Sequence, residues 1–344
     1  MELHAAPYFL EFRHPFGISS GTRNRTPVVF TRLSCDGLCG YGEASMPPYT
    51  GETHESALAF LSAAGRIIKR FSDPLQTDAL LDAVDAIAPG NSAAKAAIDI
   101  ALHDLAGKVQ RKPLYELFGT DPAAAPYTVY TIGIGDPALL EEKLQEALPY
   151  KILKIKLGSA DDKRLVQLIR TYTDKPLVVD VNQGWDDSAF ALDMIHWLSE
   201  RHVLLVEQPL KKKMLDETAR LTELSPLPVI ADESVQRLED IARISGAYSG
   251  INIKLMKCAG LREARKMIAA ARGCGLKVLI GCMSETSCAA TAAAHLSPLA
   301  DWADLDGPLL IRKDYFTGIR FDEGRITLND LPGTGALPAE NLKF

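Results

Sequence analysis

The sequence predicts an α/β protein built as a parallel (β/α)₈-type barrel behind an α+β domain. Three observations carry this. From about residue 127, eight short apolar segments each begin 22–27 residues after the last. The stretches between them place apolar residues at helical spacing. The first third lacks this repeat and reads as strands followed by helices. Near-continuous apolar strands alternating with helices mean a parallel sheet covered by helices, and eight units suffice to close one.

The whole chain sets outer bounds. Its 344 residues, 47% hydrophobic, allow one large core plus a smaller domain. The net charge of −6 argues against a nucleic-acid or anionic-membrane partner. The start, Met1-Glu2-Leu3-His4, shows no basic region followed by an apolar run, and no apolar segment nears the ~20 residues of a membrane span. Six cysteines without zinc spacing fit reduced thiols, so a cytoplasmic location is expected. His103 lies in an alanine-rich helical run and reads as structural. Lys211-Lys212-Lys213 reads as a solvated loop.

Taken in order, residues 1–44 read as an antiparallel meander. Val28 to Leu33 forms a strand, and Cys35-Asp36-Gly37 supplies a turn. The polar stretch from Gly17 to Arg25 reads as a surface loop or lid. Gly40-x-Gly42 is discounted as a phosphate loop because no helix start follows it. Residues 45–54 form a second loop. Helices follow from about 53 to 118, the clearest from Asn91 to Lys108, with Asn91 or Ser92 as its cap and Gly107 near its end. The barrel strands are expected at 127–132, 151–157, 177–181, 203–207, 228–231, 250–255, 277–281 and 302–305. The last 30 or so residues are expected to pack back on the N-terminal domain.

In such barrels the chemistry lies at the C-terminal strand ends. Here those ends carry charge. Strand two bears Lys154 and Lys156, which share a face because residues two apart on a strand point the same way. Taken alone the pair is equally an edge strand with solvated lysines or a buried pair whose mutual repulsion and desolvation lower a lysine pKa. Strands three, four and five end in Asp180, Glu207 and Asp232. Three carboxylates converging from adjacent strands would repel unless a hard cation held them, and all-oxygen ligation suits Mg²⁺. Lys156 and Lys254, on strands two and six, would flank whatever that ion holds. One could take a proton from a carbon and the other return it on the opposite face, through an enediolate that the metal stabilises. A Schiff-base lysine is the competing role, but it needs no carboxylate triad.

These residues resemble the enolase superfamily, muconate-lactonizing subgroup. The matching motifs are Lys154-x-Lys156, Asp180-x-Asn182, Glu207-Gln208-Pro209, Asp232-Glu233-Ser234 and Asn252-Ile253-Lys254, in the family's order and across essentially the whole chain. The resemblance implies a (β/α)₇β barrel at 125–312. It also implies an α+β capping domain formed by 1–120 with 313–344 packing back on it. It implies one Mg²⁺ on Asp180, Glu207 and Asp232, with Lys156 and Lys254 as acid/base catalysts, a lysine-and-Mg²⁺ pairing already established for that superfamily. Lys154 would support the site and the substrate carboxylate, and Asn182 and Glu233 would support the metal. The loops at 17–25 and 47–54 match the family's specificity loops.

Within the subgroup, Asp304-Leu305-Asp306 looks like the dipeptide epimerase signature. Two acids two residues apart on a strand could grip one α-ammonium group. Thr131-Ile132-Gly133-Ile134, Gly184-Trp185 and the run from Gly281 to Thr286 point the same way, bringing Thr131, Met283 and Ser284 to the substrate. The best-known dipeptide epimerases act on Ala-Glu dipeptides from cell-wall peptide. Arg23 and Arg25 are then candidates to meet the Glu side chain. The expected ligand is a small dipeptide, epimerised at the α-carbon of its C-terminal residue. The alternatives are o-succinylbenzoate synthase or N-succinylamino acid racemase, whose substrates lack a free α-ammonium, and a non-catalytic binding protein on an old enzyme fold. A homo-oligomer is compatible with the sequence and not required by it.

Overall fold

A computed structural model describes residues 1–19, 21–133 and 139–344. Among these, three antiparallel strands come first: β1 (Glu2–Ile18), β2 (Gly21–Cys35) and β3 (Leu38–Ser45). Helices α1 (His54–Ile68), α2 (Thr77–Asp85), α3 (Ser92–Gln110) and α4 (Leu114–Phe118) follow. The central helix is α3, whose alanines let strands approach closely. A Cβ on Gly40 or Gly42 of β3 would lie 2.0 Å from Ala101 O or 1.9 Å from Ala97 O. That contact accounts for the Gly-x-Gly spelling.

Two local expectations are corrected. The 17–25 stretch is mostly strand rather than loop: Phe16, Gly17 and Ile18 pair with Arg23, Thr22 and Gly21. Its polar side chains hide the pattern because this hairpin end projects beyond the core. Ser20 of that stretch and Ile134 of the Thr131–Ile134 spelling lie outside the described residues. Asn91 occupies the α3 cap position but its side chain does not cap. Glu52 takes over, accepting from Ala93 N (2.9 Å) and Ala94 N (3.3 Å). Gly107 lies within α3, and the left-handed end is Arg111 (φ 55°).

The barrel strands are β4 (Tyr130–Ile132), β5 (Leu153–Lys156), β6 (Leu177–Asp180), β7 (Val203–Glu207), β8 (Val229–Ala231), β9 (Gly250–Lys254), β10 (Lys277–Gly281) and β11 (Trp302–Asp304). They are parallel and adjacent in sequence order. A parallel bridge between Thr128 and Ala303 joins first to last. The covering helices are α5 (Leu140–Glu146), α6 (Asp162–Tyr172), α7 (Ser188–Ser199), α8 (Leu215–Leu224), α9 (Asp240–Ile244), α10 (Leu255–Cys258), α11 (Leu261–Gly273) and α12 (Ser287–Ala294). Seven βα units and a final strand make a (β/α)₇β barrel. No described helix is long and apolar enough to cross a membrane.

The tail after α13 (Gly307–Leu310) divides its contacts. Phe316 and Ala336 join Leu10, Phe12, Val28 and Phe30 in a buried cluster, which ties the tail to the N-terminal sheet. The hairpin β12 (Arg320–Asp322) and β13 (Arg325–Thr327) instead reaches the barrel's N-terminal end, where Gly324 O accepts from Thr128 N. Sequence reading placed the whole tail on the N-terminal domain. The Phe321 and Ile326 side chains, packed against the main core, draw this hairpin elsewhere.

Candidate active site

Strand register assembles the site. Lys156 pairs with Asp180, and Asp180 with Glu207, so these side chains stand in a row. On the far side Lys254 and Asp304 both pair with Gly281. Asp180, Glu207 and Asp232 are buried, and each offers a carboxylate oxygen within 4.8 Å of the others.

Four ammonium groups meet these acids. Lys154 Nζ donates to Glu207 Oε2 (2.7 Å) and Asp304 Oδ2 (2.6 Å) and lies 3.0 Å from Asp180 Oδ2. Lys156 Nζ donates to Asp180 Oδ2 (2.6 Å), and Lys254 Nζ to Asp232 Oδ2 (2.7 Å). Lys257 Nζ donates to Asp232 Oδ1 (2.6 Å) and to the carbonyls of Asp232 and Asn252. Asn252 Nδ2 donates to Glu207 Oε1 (2.7 Å).

The electrostatics correct one expectation. Burial alone would lower the pKa of Lys154 and Lys254, but the neighbouring acids, Asp180 and Asp232 respectively foremost, outweigh it and raise both well above the usual value. The lysine–lysine repulsion foreseen from the strand is the smaller effect. Burial likewise opposes the charge of Asp180, yet Lys154 and Lys156 hold it at about 2. Burial and then Asp180 push Glu207 up to about 6. Burial and then Asp232 push Glu233 to about 8. Burial and then Asp304 push Asp306 to about 7.

The donor set fits a divalent cation. Asp180, Glu207 and Asp232 bring three carboxylate ligand atoms together, and burial with neighbouring acids holds the pKa values of the Glu233 and Asp306 carboxyls high beside them, a crowding of negative charge that a cation relieves. Glu233 Oε2 and Asn182 Oδ1 are buried acceptors that find no hydrogen-bond donor among the described residues. Orphaned buried acceptors beside a carboxylate triad are what a hard cation and its waters satisfy.

Thr131, Lys154, Lys156, Asn182, Lys254, Met283, Ser284, Asp304, Asp306 and Arg23 all line one cleft above the triad. Glu233 stands beside it, accepting from Asn182 Nδ2 at 3.3 Å. Arg25 does not reach the cleft; its guanidinium lies 4.2 Å from the Phe9 ring centroid. It follows Arg23 by two residues on β2, but the cleft wall ends between them. Lys154, 1% exposed, cross-links Asp180, Glu207 and Asp304 where it lines the cleft. Asp304 is engaged by Lys154, and Asp306 Oδ2 accepts from Thr131 N at 2.5 Å.

Sequence reading missed Tyr49, Cys282, Phe16, Ile18 and Leu310 in the cleft wall, and Lys257 beneath it. Lys257 had a signal, since it lies one helical turn after Lys254. Tyr49 was legible only through its segment, since 47–54 resembles a specificity loop; folding is what brings this side chain into the cleft wall. Trp185 is structural, its indole donating to Asp162 Oδ2 (2.9 Å), as is His103, held at Asp99 O (2.9 Å).

Fold and site together define a barrel protein with an acidic triad between two lysine-bearing strands, roofed by an α+β domain. Residues 6–119 match the mandelate racemase / muconate lactonizing enzyme N-terminal domain, and residues 138–342 match the enolase C-terminal domain-like family. The chain belongs to this family of the enolase superfamily. It is 50% identical to an L-Ala-D/L-Glu epimerase of Bacteroides thetaiotaomicron over 98% of this chain and 88% of that one. A dipeptide epimerase of Enterococcus faecalis, solved with Mg and L-Leu-L-Tyr, superimposes with TM-score 0.90 and 31% identity, covering 97% and 98% of the two chains. A substrate-liganded L-Ala-D/L-Glu epimerase of Bacillus subtilis does so with TM-score 0.90 and 29% identity, covering 98% and 99%.

Proposed function

We propose that this chain is a Mg²⁺-dependent dipeptide epimerase that inverts the α-carbon of the C-terminal residue, with Ala-Glu dipeptides as its substrate type. The observation that carries this is one cleft in which Lys156 and Lys254 enter from opposed strands, Asp304 ends β11 and Asp306 follows it at the start of α13. A divalent ion on Asp180, Glu207 and Asp232 would supply fixed positive charge beside the substrate carboxylate. Lys156 or Lys254 removes the α-proton, having given up its own proton once an ion takes over the carboxylates beside it, and the other delivers one to the opposite face. Asp306, with Asp304, holds the α-ammonium and so sets which carbon lies between the lysines. Arg23 meets the side-chain carboxylate. The part formed by 1–120, with the stretches of the tail from 313 that pack on its sheet, acts as the cover over a barrel of 125–312, while the Arg320–Thr327 hairpin serves the barrel's other end.

Incubating the protein with L-Ala-L-Glu and Mg²⁺ in D₂O is expected to yield L-Ala-D-Glu carrying deuterium at the Glu α-carbon. Chelation is expected to stop exchange and added Mg²⁺ to restore it. No exchange with any dipeptide would sink the proposal. Asp306→Asn separates it from the succinylated-substrate alternatives. Loss of a charged hydrogen bond worth ~1.5–3 kcal/mol should raise KM for a dipeptide about tenfold or more. It should leave a substrate without an α-ammonium unaffected.

A further inference from the structure

Apart from the acid triad, one further group among the described residues brings three metal-ligating atoms within 4.8 Å of one another: His14, Glu142 and Glu146. The backbone of β1 puts His14 there. Glu11 pairs with Arg25 and Phe16 with Arg23, so residues 12–15 bulge out of the register with β2. A bulge re-aims the side chains it carries. Phe12 bridges to Ile311 and Arg13 Nε donates to Ile311 O (3.0 Å), which seats the bulge on the barrel, and there His14 meets α5. Glu142 and Glu146 lie four residues apart on α5 and so share one helix face.

The spacing suits a shared ion. His14 Nε2 lies 3.1 Å from Glu146 Oε1 and 3.1 Å from its Oε2. Two atoms each ~2.0–2.1 Å from a tetrahedral zinc ion stand about 3.3 Å apart, so this pair already has the separation of two ligands. Glu142 is exposed and free of packing that would stop it from swinging in. Tyr130, buried on β4 with its ring 4.8 Å from that of Tyr150, donates its hydroxyl to Glu146 Oε2 (2.9 Å). A fixed donor behind a carboxylate is what orients a metal ligand. Two carboxylates one turn apart also repel, and an ion between them removes that cost.

The donor set selects the kind of ion. Arg13 and Lys143 line the small cavity beside His14 and Glu146, so two cations offset the two carboxylates. Charge alone then offers little to Mg²⁺, which prefers oxygen ligands and keeps its water. An imidazole with carboxylates suits a borderline transition ion such as Zn²⁺. We propose that His14, Glu142 and Glu146 form a second metal site, for Zn²⁺ or a similar transition ion, separate from the triad and independent of the epimerase reading. His14 belongs to the cover and both glutamates to the barrel, so an ion there ties the two parts together. It does so beside the cleft, since Phe16, Thr131 and Leu310 line both cavities.

The test titrates Zn²⁺ by calorimetry into chelator-treated protein with Mg²⁺ in large excess, comparing the unsubstituted chain with His14→Ala, Glu142→Gln and Tyr130→Phe. One Zn²⁺ per chain is expected to bind about tenfold or more weakly in His14→Ala and severalfold more weakly in Glu142→Gln. Tyr130→Phe, which removes only the supporting donor, should weaken it about tenfold. Zn²⁺ should also raise the thermal unfolding midpoint of the unsubstituted chain more than that of His14→Ala. Zinc affinity undiminished by His14→Ala, or by Glu142→Gln, overturns the site: the triad then takes all the zinc and His14 makes a hydrogen bond only. Glu142 is exposed, so its variant keeps the test decisive should His14→Ala fail to fold. Absence of Mg²⁺-dependent α-deuterium exchange counts against the epimerase reading alone, since zinc binding needs no turnover.

Discussion

The two ends of the barrel interior differ by one step along each strand. At the N-terminal end the inward residues of seven strands are apolar: Val129, Val178, Leu205, Ile230 and Leu279 form a separate buried cluster, joined by Ile152 and Trp302, while β9 places Asn252 level with Leu279. Two residues further on, the same faces carry Thr131, Lys154, Asp180, Glu207, Asp232, Lys254, Gly281 and Asp304, with Lys156 level with Asp180. Strand alternation aims both layers at the same axis. The lower layer excludes water and supplies a floor. Above it every ammonium and carboxylate lacks bulk solvation and must find its partner in the ring. One register therefore gives a stability layer and a chemistry layer, and substitutions should separate them.

Among those substitutions the largest effect is expected in the upper layer. Lys156→Met or Lys254→Met should each lower epimerisation by about 10²–10⁴-fold, the range of general acid–base catalysis. Chiral chromatography measures the loss. Thermal unfolding should show that each variant remains folded. A variant that kept full turnover would break the assignment of the upper layer to chemistry.

Leu205→Ala tests the floor. Truncating this fully buried side chain should cost about 2–5 kcal/mol in denaturant unfolding while activity per folded molecule is retained. A drop in kcat equal to that of the lysine variants would erase the distinction between layers.

The smallest effect expected lies outside both layers. His295 is fully buried after α12, and its Nε2–H donates to Thr334 O (2.9 Å) on the tail. Burial lowers its pKa from 6.5 to about 4. The folded state thus favours the neutral ring and binds fewer protons than the unfolded chain between those values. The resulting stability, about 3 kcal/mol, is full above pH 6.5 and lost as pH falls toward 4. His295→Gln should flatten unfolding free energy against pH in that window. It should leave the pH profile of kcat unchanged. If both profiles moved together, the tail would have to be counted part of the chemistry.

The contrast between layers also explains what was legible. Lys154, Lys156, Asp180, Glu207, Asp232 and Lys254 could be read because each interrupts an apolar run at a fixed place in a repeating unit. Gln208 stands out in the sequence only as the middle of Glu207-Gln208-Pro209, and the structure supplies its reason. Its Nε2 donates to Ser234 Oγ and Tyr248 OH and its Oε1 accepts from Asp232 N, which staples two strand ends together. The cover was less legible. Arg23 and Arg25 are indistinguishable as letters, and only the hairpin's seat on the barrel puts one over the cleft and the other against Phe9.

By itself the sequence determined the barrel, the order of its strands and which side chains face the axis, since periodicity and alternation are local properties of the chain. It determined the acids and lysines for the same reason. Tertiary structure decided the pairing among them, because a lysine pKa depends on charges brought from strands some 24–150 residues away. It likewise decided which residues of the cover reach the cleft. Contacts such as Tyr49 to Met283 join segments 234 residues apart, and no local pattern encodes a distance across the fold.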